Sequence, residues 1–470
     1  IYMCKCQKYL RRTLIMKHFD TKIQKIKYEL LKSVIGYSFS GNLKQGCSDI
    51  IDNIENLPAD SISSCCIYKE QAVMRERLKL LCGNSNNKNV INIIKPACTG
   101  CSSGGYIITD TCRNCISHRC ASVCDNNAIL FTPDGKAVIN RNNCSECGKC
   151  QRECQYNAII FLKRPCENSC ALKAISINDR KIAVINPDKC ISCGQCINSC
   201  PDGAVDEISF ITETIEILKK SEHNKRYRVY AVADPSLLTQ YPECSCGQFF
   251  SALKKAGFEN AFSYAEDLRN SLDIQAGELV DNGLVISNFC PAFISYLKIN
   301  FPNMQKHISS AVSAAVSAAS SVKINDRNAK VIFIAPCSAR KQEFYQNDMI
   351  DSVISFNELD ALFEYLDISP YDMNDEQDYY SQHFISESSE KCFISGNISA
   401  VLDEAVAQKG FNHLKYRSAV CDNIDECRTA FLKNSKKITV NTFIDGCVCS
   451  GGCGNGSGCI NMNLSKKEHS

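Results

Sequence analysis

The sequence predicts three regions: a helical N-terminal segment over 1–95, a small α+β domain over 96–210, and an α/β domain over 225–462, with a tail at 463–470. We expect the α/β domain to have two lobes with largely parallel sheets. Residues 19–39 have the apolar spacing of a helix, and sixteen cysteines crowd between Cys98 and Cys200. After Ser209, short Val- and Ile-rich runs alternate with helical stretches.

The N-terminal segment carries few other signals. We expect its helical stretch, "FDTKIQKIKYELLKSVIGYSF", to cover the cysteine-rich domain. The first nineteen residues contain five basic side chains and no acid, as organelle presequences do, unless translation starts at Met3 or Met16. No secretory signal is evident, and no apolar run approaches the roughly 18 residues of a membrane span. The expected location is the cytoplasm, with an organelle as the alternative.

Charge and composition exclude several classes of partner. Lys and Arg number 53 and Asp and Glu 51, so the formal net charge is only +2. Such a balance gives no electrostatic case for binding nucleic acid or an anionic membrane surface. The unusual feature is 33 cysteines, many of them in tight CxxC groups. In a reducing compartment, this grouping favours metal or iron–sulfur ligation over disulfides.

Two cysteine groups have the spacing of bacterial ferredoxins. "CSECGKCQREC" contains Cys144, Cys147, Cys150 and Cys154, and "CISCGQCINSCP" contains Cys190, Cys193, Cys196 and Cys200. The spacing C-x2-C-x2-C-x3-C binds 4Fe-4S clusters, with three thiolates on one cluster and the fourth on its neighbour. Zinc is the alternative, but its structural sites usually take two CxxC pairs. The middle region is therefore expected to be ferredoxin-like.

Two looser groups complete the set. "CRNCISHRCASVC" contains Cys112, Cys115, Cys120 and Cys124, and the remaining four are Cys98, Cys101, Cys166 and Cys170. A similar phrase follows each group ("NNAILF", "YNAIIF", "LKAISI" and "DGAVDE") and is expected to form a short strand. Four ferredoxin halves with sixteen cysteines would bind four clusters. His118 lies inside one group and is interpreted as a packing residue rather than a ligand, since four cysteines are already present.

The order of the groups suggests one ferredoxin inserted in another. In this hypothesis, each cluster takes three cysteines from one half and one from its partner half. The predicted sets are Cys112, Cys115, Cys120 with Cys154; Cys144, Cys147, Cys150 with Cys124; Cys190, Cys193, Cys196 with Cys170; and Cys98, Cys101, Cys166 with Cys200.

The last half has cysteines where predicted strands end. Cys290 follows "GLVISNF", Cys337 follows "AKVIFIAP", and Cys449 and Cys453 follow "KITVNTFIDG". In open α/β sheets, ligands bind beyond the carboxyl ends of the strands. We therefore expect the four thiolates at one sheet edge, holding a fifth 4Fe-4S cluster. The alternative is that they are small buried apolar residues, a common fate of free cysteine.

At these residues, the chain resembles the FeFe-hydrogenases, in particular monomeric members with an extended ferredoxin region. The resemblance runs roughly from Cys65 to Cys459. The family signatures TSCCP or SSCCP, PCxxK followed by Glu, and MACxGGC are represented here by "SNFCPAF", "APCSARKQE" and "DGCVCSGGC".

The resemblance implies an H-cluster, which is a 4Fe-4S cubane joined through one cysteine to a two-iron unit with CO and cyanide ligands. By motif, Cys290, Cys337, Cys449 and Cys453 bind the cubane, and Cys453 also bridges to the two-iron unit. The implied catalytic residues are Arg340, Lys341, Glu343 and Cys453. The implied reaction is reversible reduction of protons to hydrogen, with electrons from a ferredoxin or similar carrier through about four accessory clusters. Maturation proteins are implied partners if the two-iron unit is present.

Several positions depart from the family pattern. Phe289 replaces the cysteine that relays protons, and a phenyl ring cannot exchange them. Arg340 replaces the lysine that binds a cyanide, with Lys341 beside it. Cys447 and Ala335 replace methionines, and Asp445 replaces a glutamate. We therefore predict a low-activity or sensory hydrogenase. The alternatives are a non-catalytic relative that binds only 4Fe-4S clusters, as in iron–sulfur assembly, and a simple electron-transfer protein.

Overall fold

The computed structural model describes residues 21–52, 66–84, 89–99, 101, 104–345, 347–375, 391–411, 414–435 and 440–460. The basic first nineteen residues, the tail at 463–470 and Cys65 lie outside these residues. Within them, no helix combines the length and the apolar character needed to cross a bilayer.

The N-terminal segment is helical, with α1 at Lys22–Ser40, α2 at Leu43–Asp52 and α3 at Ile67–Leu81. Helix α1 begins at a capping box between Thr21 and Gln24, which satisfies amide groups that a helix start leaves unpaired. Its apolar face packs mostly on the C-terminal domain, where Tyr28 Oη donates to Glu364 at 2.8 Å. Among the described residues, its contacts with the cysteine-rich domain include the ion pair of Lys27 with Asp206. The expected cover of that domain is therefore partial.

The middle region consists of short helices and antiparallel strand pairs. The helices are α4 Lys95–Cys98, α5 Arg119–Ser122, α6 Lys149–Glu153, α7 Pro165–Asn168 and α8 Gln195–Ser199. The strands are β1 Ile91–Ile93, β2 Gly105–Ile108, β3 Ile129–Phe131, β4 Ala137–Ile139, β5 Ile159–Leu162, β6 Ile175–Ile177, β7 Ala183–Ile185 and β8 Val205–Glu207. The strands expected after each cysteine group are confirmed as β3, β5, β6 and β8.

The strand pairs are nested. Strand β1 pairs with β8, and between them lie the pairs β2–β5, β3–β4 and β6–β7. Strand β1 precedes residue 96, so this fold starts earlier than the predicted boundary. The pair β2–β5 encloses β3 and β4 and brings the two ends of 105–162 side by side. This is the topology of one small unit inserted in another.

The C-terminal domain alternates strands and helices. The strands are β9 Val229–Ala233, β10 Asn260–Ser263, β11 Leu284–Ile286, β12 Lys330–Ala335, β13 Ser352–Ser355, β14 Tyr416–Cys421 and β15 Asn441–Gly446. The longer helices are α9 Ile211–Lys220, α11 Cys246–Lys255, α12 Ala265–Asn282, α13 Pro291–Asn300, α14 Ala314–Asn325, α15 Ser338–Tyr345, α16 Phe356–Tyr365, α17 Asn397–Gln408 and α18 Ile424–Asn434. The short elements are α10 Leu237–Gln240 and the 3₁₀ helices Pro302–His307, Pro370–Asp372 and Cys453–Asn455.

These strands form two parallel sheets, in the orders β10-β9-β12-β13 and β11-β15-β14. The central strands β12 and β15 are buried apart from their first residues, as expected for parallel strands covered by helices on both faces. The predicted α/β class with largely parallel sheets is confirmed. The expectation of a single sheet edge is wrong: Cys337 follows the four-stranded sheet, whereas Cys290 and Cys449 follow the three-stranded sheet.

Candidate functional site

The four cysteines at the strand ends line one cavity. Cys290, Cys337, Cys449 and Cys453 share this space, which has an empty volume of about 400 Å³, with Arg340. Because the cysteines come from both sheets, the cavity lies where the carboxyl ends of the two sheets meet. The sequence singles out these four residues but places them on one sheet; their role as cluster ligands stays a prediction.

Local structure explains how each thiol reaches the cavity. Cys290 is the N-cap of α13, and Pro291 starts that helix, because proline fits the first turn without losing a needed amide. Cys337 lies between the end of β12 and the start of α15. Cys449 and Cys453 lie on the glycine-rich loop after β15. Each thiol therefore extends from a point fixed by a strand or helix end.

The glycine-rich loop packs directly on backbone. A Cβ atom on Gly452 would lie 2.0 Å from the carbonyl oxygen of Phe393, and one on Gly456 would lie 2.3 Å from that of Pro336. The amide of Cys453 donates to the Phe393 oxygen at 2.7 Å. Only glycine permits such an approach, and the loop thus holds Cys453 at the cavity wall. No sequence signal identifies Phe393 as part of the site.

Burial disfavours the ionised form of three of these thiols. Burial raises the pKa of the Cys337 thiol to about 12, and the neighbouring Cys290 adds to the shift. Burial also raises the pKa values of Cys449 and Cys453 well above the ordinary range of a thiol. Thiolates crowded in a buried space repel one another, so iron charge is what would compensate them. The donor set therefore fits an iron–sulfur cluster.

Arg340 is almost fully buried, and protein groups take most of its hydrogen bonds. Its Nη1 contacts Glu343 Oε2 at 2.7 Å, and its Nη2 donates to the carbonyl oxygen of Phe289 at 2.5 Å. Its guanidinium carbon also lies 5.1 Å from the centre of the Phe289 ring. The remaining donor, Nε, is buried with no hydrogen-bond partner among the described residues. That donor is available to a group inside the cavity.

Lys341, which the sequence predicts to be catalytic, does not line this cavity. Its Nζ contacts Glu207 at 2.7 Å and Glu358 at 2.8 Å, and its side chain is fully buried. Burial alone would lower the pKa of Lys341, but the two carboxylates overcome that effect and raise it to about 12. Lys341 is therefore an ion-pair partner between elements rather than a cavity residue, and we correct its assignment.

Asp445 is buried near the site. Burial raises its pKa to about 6, although hydrogen bonds from the amide and hydroxyl of Ser399, each at 3.1 Å, favour the charged form. Phe289 is also buried and offers no ionisable atom. Beside Cys290, the Phe289 ring thus packs on the guanidinium of Arg340. Proton exchange at this position would need an acid or a base instead.

The ferredoxin-like region repeats one hydrogen bond four times. In each half, the sulfur of the last cysteine accepts the amide of the alanine four residues later. The pairs are Cys124 with Ala128, Cys154 with Ala158, Cys170 with Ala174 and Cys200 with Ala204, at 3.2–3.4 Å. The two looser sequence groups therefore have the same local geometry as the two regular ones.

Cysteines of each predicted ligand set lie close to one another. Cys124, Cys144, Cys147 and Cys150 line a second cavity, of about 340 Å³. Burial raises the pKa values of three further thiols, and the other members of their sets add to each shift. The charges of Cys115, Cys154 and Cys112 raise the pKa of Cys120, and those of Cys200, Cys98 and Cys101 raise the pKa of Cys166. The charges of Cys193, Cys190 and Cys170 do the same for Cys196. The ligand pairing itself stays a prediction.

The cysteine sets surround spaces rather than points. In the part of the chain that the structure describes, no three His, Cys, Asp or Glu side chains converge enough to bind a single metal ion. Zinc needs its thiolates about 2.3 Å away, which would draw them together around one point.

The sequence reasoning missed a junction between the two domains. Cys193, in the ferredoxin-like region, also lines the cavity of the four strand-end cysteines. Next to it, Gln195 Nε2 lies 4.0 Å from Cys449 Sγ. The same position in the other regular group is Lys149, which pairs instead with Asp125 at 2.5 Å. The sequence signal that could have revealed this junction is the difference between "GQC" at Gln195 and "GKC" at Lys149.

His118 packs rather than pointing to a metal. Its ring stacks on Phe131 with centroids 4.0 Å apart, and its Nε2 lies 3.4 Å from Asn114 Oδ1. The interpretation of His118 as a packing residue is confirmed.

Family models match both cysteine-bearing regions. The model of the iron-only hydrogenase large subunit, C-terminal domain, matches residues 227–457. The 4Fe-4S binding domain model matches residues 183–206. Ferredoxin-1 of Caulobacter vibrioides is 37% identical over 54 residues, which are 12% of this chain and 47% of that ferredoxin. The chain thus spans about half the length of this curated relative.

Solved FeFe-hydrogenase structures are also similar. A variant of HydA1 from Chlamydomonas reinhardtii is 15% identical with a TM-score of 0.44, covering 55% of this chain and 87% of that one. A HydA(deltaEFG) structure, described as revealing stepwise H-cluster assembly, is 14% identical with a TM-score of 0.43 and the same coverage. The likeness is weak, so the assignment rests on the family models. On that basis, residues 227–457 are similar to the C-terminal domain of the iron-only hydrogenase large subunit, and residues 183–206 are similar to a 4Fe-4S binding domain.

Proposed function

We propose that the chain reduces protons to hydrogen reversibly, with electrons from a ferredoxin-type carrier, and that it does so slowly or as a sensor. One observation carries this proposal. Four cysteines and Arg340, whose Nε has no hydrogen-bond partner among the described residues, line one cavity, and a ferredoxin-type cysteine, Cys193, lines the same cavity. Such a cavity can receive electrons from one side and hold a charged inorganic group.

The cavity residues fit the two parts of an H-cluster. Cys290, Cys337, Cys449 and Cys453 would hold the cubane, and Cys453 would also attach the two-iron unit. When bound, that unit supplies the metal at which protons and electrons combine. Its cyanide ligands accept hydrogen bonds, and Arg340 Nε is a buried donor without a protein partner. A buried donor left unpaired costs about 1–3 kcal/mol, so an acceptor in the cavity would stabilise the site.

Proton delivery is the weak point. Phe289 can neither donate nor accept a proton, and Glu343, the nearest retained acid of the motif, is bound to Arg340. A positioned acid or base typically contributes about 10²- to 10⁴-fold to a proton-transfer rate. We therefore expect hydrogen turnover well below that of relatives with a cysteine at this position.

The second candidate is a non-catalytic protein that binds only 4Fe-4S clusters. The contacts of Arg340 favour it: two of its three nitrogen groups bind Glu343 and Phe289 rather than facing a ligand. In this reading, Arg340 and Phe289 close the space in which a two-iron unit would lie. A simple electron-transfer role is a variant of the same reading.

Infrared spectroscopy separates the two candidates. The full-length protein, with its 4Fe-4S clusters assembled, is mixed with a synthetic two-iron cofactor and then freed of excess. The proposed function predicts CO and cyanide stretches that remain with the protein. The Arg340→Leu variant should shift the cyanide bands, because it removes the Nε donor, while Lys32→Met, which removes an ion pair with Glu364, should leave them in place. Full iron content without such bands would establish the cluster-only alternative.

A further inference from the structure

We propose that an acidic iron–sulfur carrier protein docks on an exposed loop at the end of the accessory clusters farthest from the cavity. The proposal rests on the proposed electron-transfer function and names the surface and the charge of its partner. The surface, called here the distal patch, consists of Arg113, Ile116, His118, Arg119 and Phe131.

The contacts between cysteine sets define their order. Cys193 lines the strand-end cavity, so its set lies nearest to it. Helix α7, which carries Cys166, packs on helix α8, which carries Cys196, and this places the Cys98–Cys101–Cys166–Cys200 set next. From there, Arg141 reaches the carbonyl oxygens of Cys101 at 3.5 Å and Gly104 at 2.9 Å.

Arg141 lies three residues before Cys144, and the Cys144 carbonyl accepts from Lys181 of the outer unit. The Cys144 set is therefore third. The Cys112–Cys115–Cys120–Cys154 set is left at the far end, inside the inserted unit. Electrons that enter the protein at this end would pass every accessory set before reaching the cavity.

The far-end loop is longer than its counterparts and has a defined shape. Two extra residues separate Cys115 from Cys120, compared with the regular groups. They let Ile116 extend into solvent, where its side chain is fully exposed, at 101%. His118 takes a left-handed conformation, with φ of 38°, and its ring is held against Phe131. A fully exposed isoleucine on a braced loop beside cluster ligands is a candidate contact for a partner.

The charge of the loop indicates an acidic partner. Residues 111–124 contain Arg113 and Arg119 and no acid. The flanking acids Asp110 and Asp125 lie near Lys136 and Lys149. Among the described residues, neither arginine forms an ion pair, and both are exposed. A second copy of this chain would meet the patch with like charges, whereas an acidic carrier would be attracted to it.

The transfer needs no other reactant. One electron leaves the reduced carrier, which becomes oxidised, and one accessory 4Fe-4S cluster of this chain is reduced by one electron. Docking only has to bring the carrier near Cys115, which is partly exposed beside Ile116.

The test measures reduction of the accessory clusters and does not require hydrogen chemistry. Full-length protein with its 4Fe-4S clusters is mixed in a stopped-flow instrument with a reduced acidic 2Fe-2S ferredoxin, and bleaching of the clusters is followed in visible light. The Ile116→Asp and Arg113→Glu variants should each lower the second-order rate constant by about tenfold, because both add negative charge at the contact. The wild-type rate should fall as salt rises, and Arg113→Lys should keep most of it.

Two controls make the result specific. Val184 is an exposed valine on β7 in the outer unit, and Val184→Asp should leave the rate unchanged. Reduction by dithionite, a small donor, should be equal in all variants with full iron content. Equal ferredoxin rates for wild type, Ile116→Asp and Arg113→Glu would overturn the proposal. A wild type that is dimeric and variants that are monomeric would also overturn it, because the patch would then be a contact between two copies of the chain. Either outcome leaves the infrared test of the two-iron unit untouched.

Discussion

At the scale of single residues, Phe289 is the position where this chain differs most from what its cavity would need. Its carbonyl oxygen accepts from Arg340, and its ring packs on the same guanidinium. The backbone contact does not depend on the side chain, so it can survive substitution. Replacing the ring thus changes proton exchange with little effect on how Cys290 is held.

We predict that Phe289→Cys increases hydrogen evolution by tenfold or more after loading with the synthetic two-iron cofactor. The thiol restores a group that can exchange protons, and such groups contribute about 10²- to 10⁴-fold. Gas chromatography of hydrogen made with reduced methyl viologen measures the effect. Phe289→Leu is the matched control, since it removes the ring without adding an acid. An equal gain in both variants would show that space, rather than proton exchange, limits the rate.

At the scale of elements, the start of α8 joins the accessory clusters to the cavity. Gly194 precedes the helix, and a Cβ atom there would lie 2.3 Å from the hydroxyl of Ser457. This close approach brings Gln195 within 4.0 Å of the Cys449 sulfur. Hydrogen bonds to cluster sulfurs are one of the factors that set reduction potentials. The amide of Gln195 is thus placed to affect the cubane rather than the cluster of its own motif.

We predict that Gln195→Leu makes the reduction potential of the cubane more negative, because a donor to a ligand sulfur stabilises the reduced, more negative state. An electron paramagnetic resonance titration of protein without the two-iron unit measures this. Lys149→Leu, at the same position of the other regular motif, should leave the cubane potential unchanged. The same potential in Gln195→Leu and wild type would mean that the 4.0 Å contact has no electrostatic effect.

The elements also show what sequence can and cannot predict here. Motif spacing and apolar runs were sufficient for the four short strands after the cysteine groups and for the strand-end cysteines, because both signals are local. The meeting of two sheets at one cavity is not local, and neither is the packing of Phe393 on the glycine-rich loop. For Arg340 and Lys341, the sequence predicts part of the answer: it identifies the helix but not which of the two side chains lines the cavity. Neighbours on a helix point about 100° apart, so only one of them could face the cavity.

At the scale of the whole molecule, Lys341 connects three parts of the chain. It lies on α15, which follows Cys337, and binds Glu207 of β8 and Glu358 of α16. Glu207 also accepts from the hydroxyl of Ser338. The ferredoxin-like region is thereby fixed to the helix that carries Arg340. A buried charge network of this kind holds position more than it adds net stability.

We predict that Lys341→Met lowers the free energy of unfolding by about 3–5 kcal/mol, since two largely buried carboxylates lose their cation. Anaerobic denaturant titration followed by circular dichroism measures the change. Lys32→Met removes a more exposed ion pair with Glu364 and should cost less than about 1 kcal/mol. Adding Glu207→Gln to Lys341→Met should recover part of the loss. Equal costs for the two lysine variants would contradict this account.

The nested strands of the ferredoxin-like region have a further consequence. Gly105 pairs with Leu162 across β2 and β5, and Gly104 touches Arg164, so residues 105–162 leave and rejoin the outer unit at a single place. The outer unit keeps Cys101 and Cys166 on either side of that place. A single insertion or deletion in the gene could therefore add or remove the inner unit, together with its two cysteine sets and the distal patch. The sequence of the outer unit and of the C-terminal domain would not change. One exchangeable segment would then determine both the length of the electron route and the carrier that docks. The chemistry at the cavity would be inherited separately.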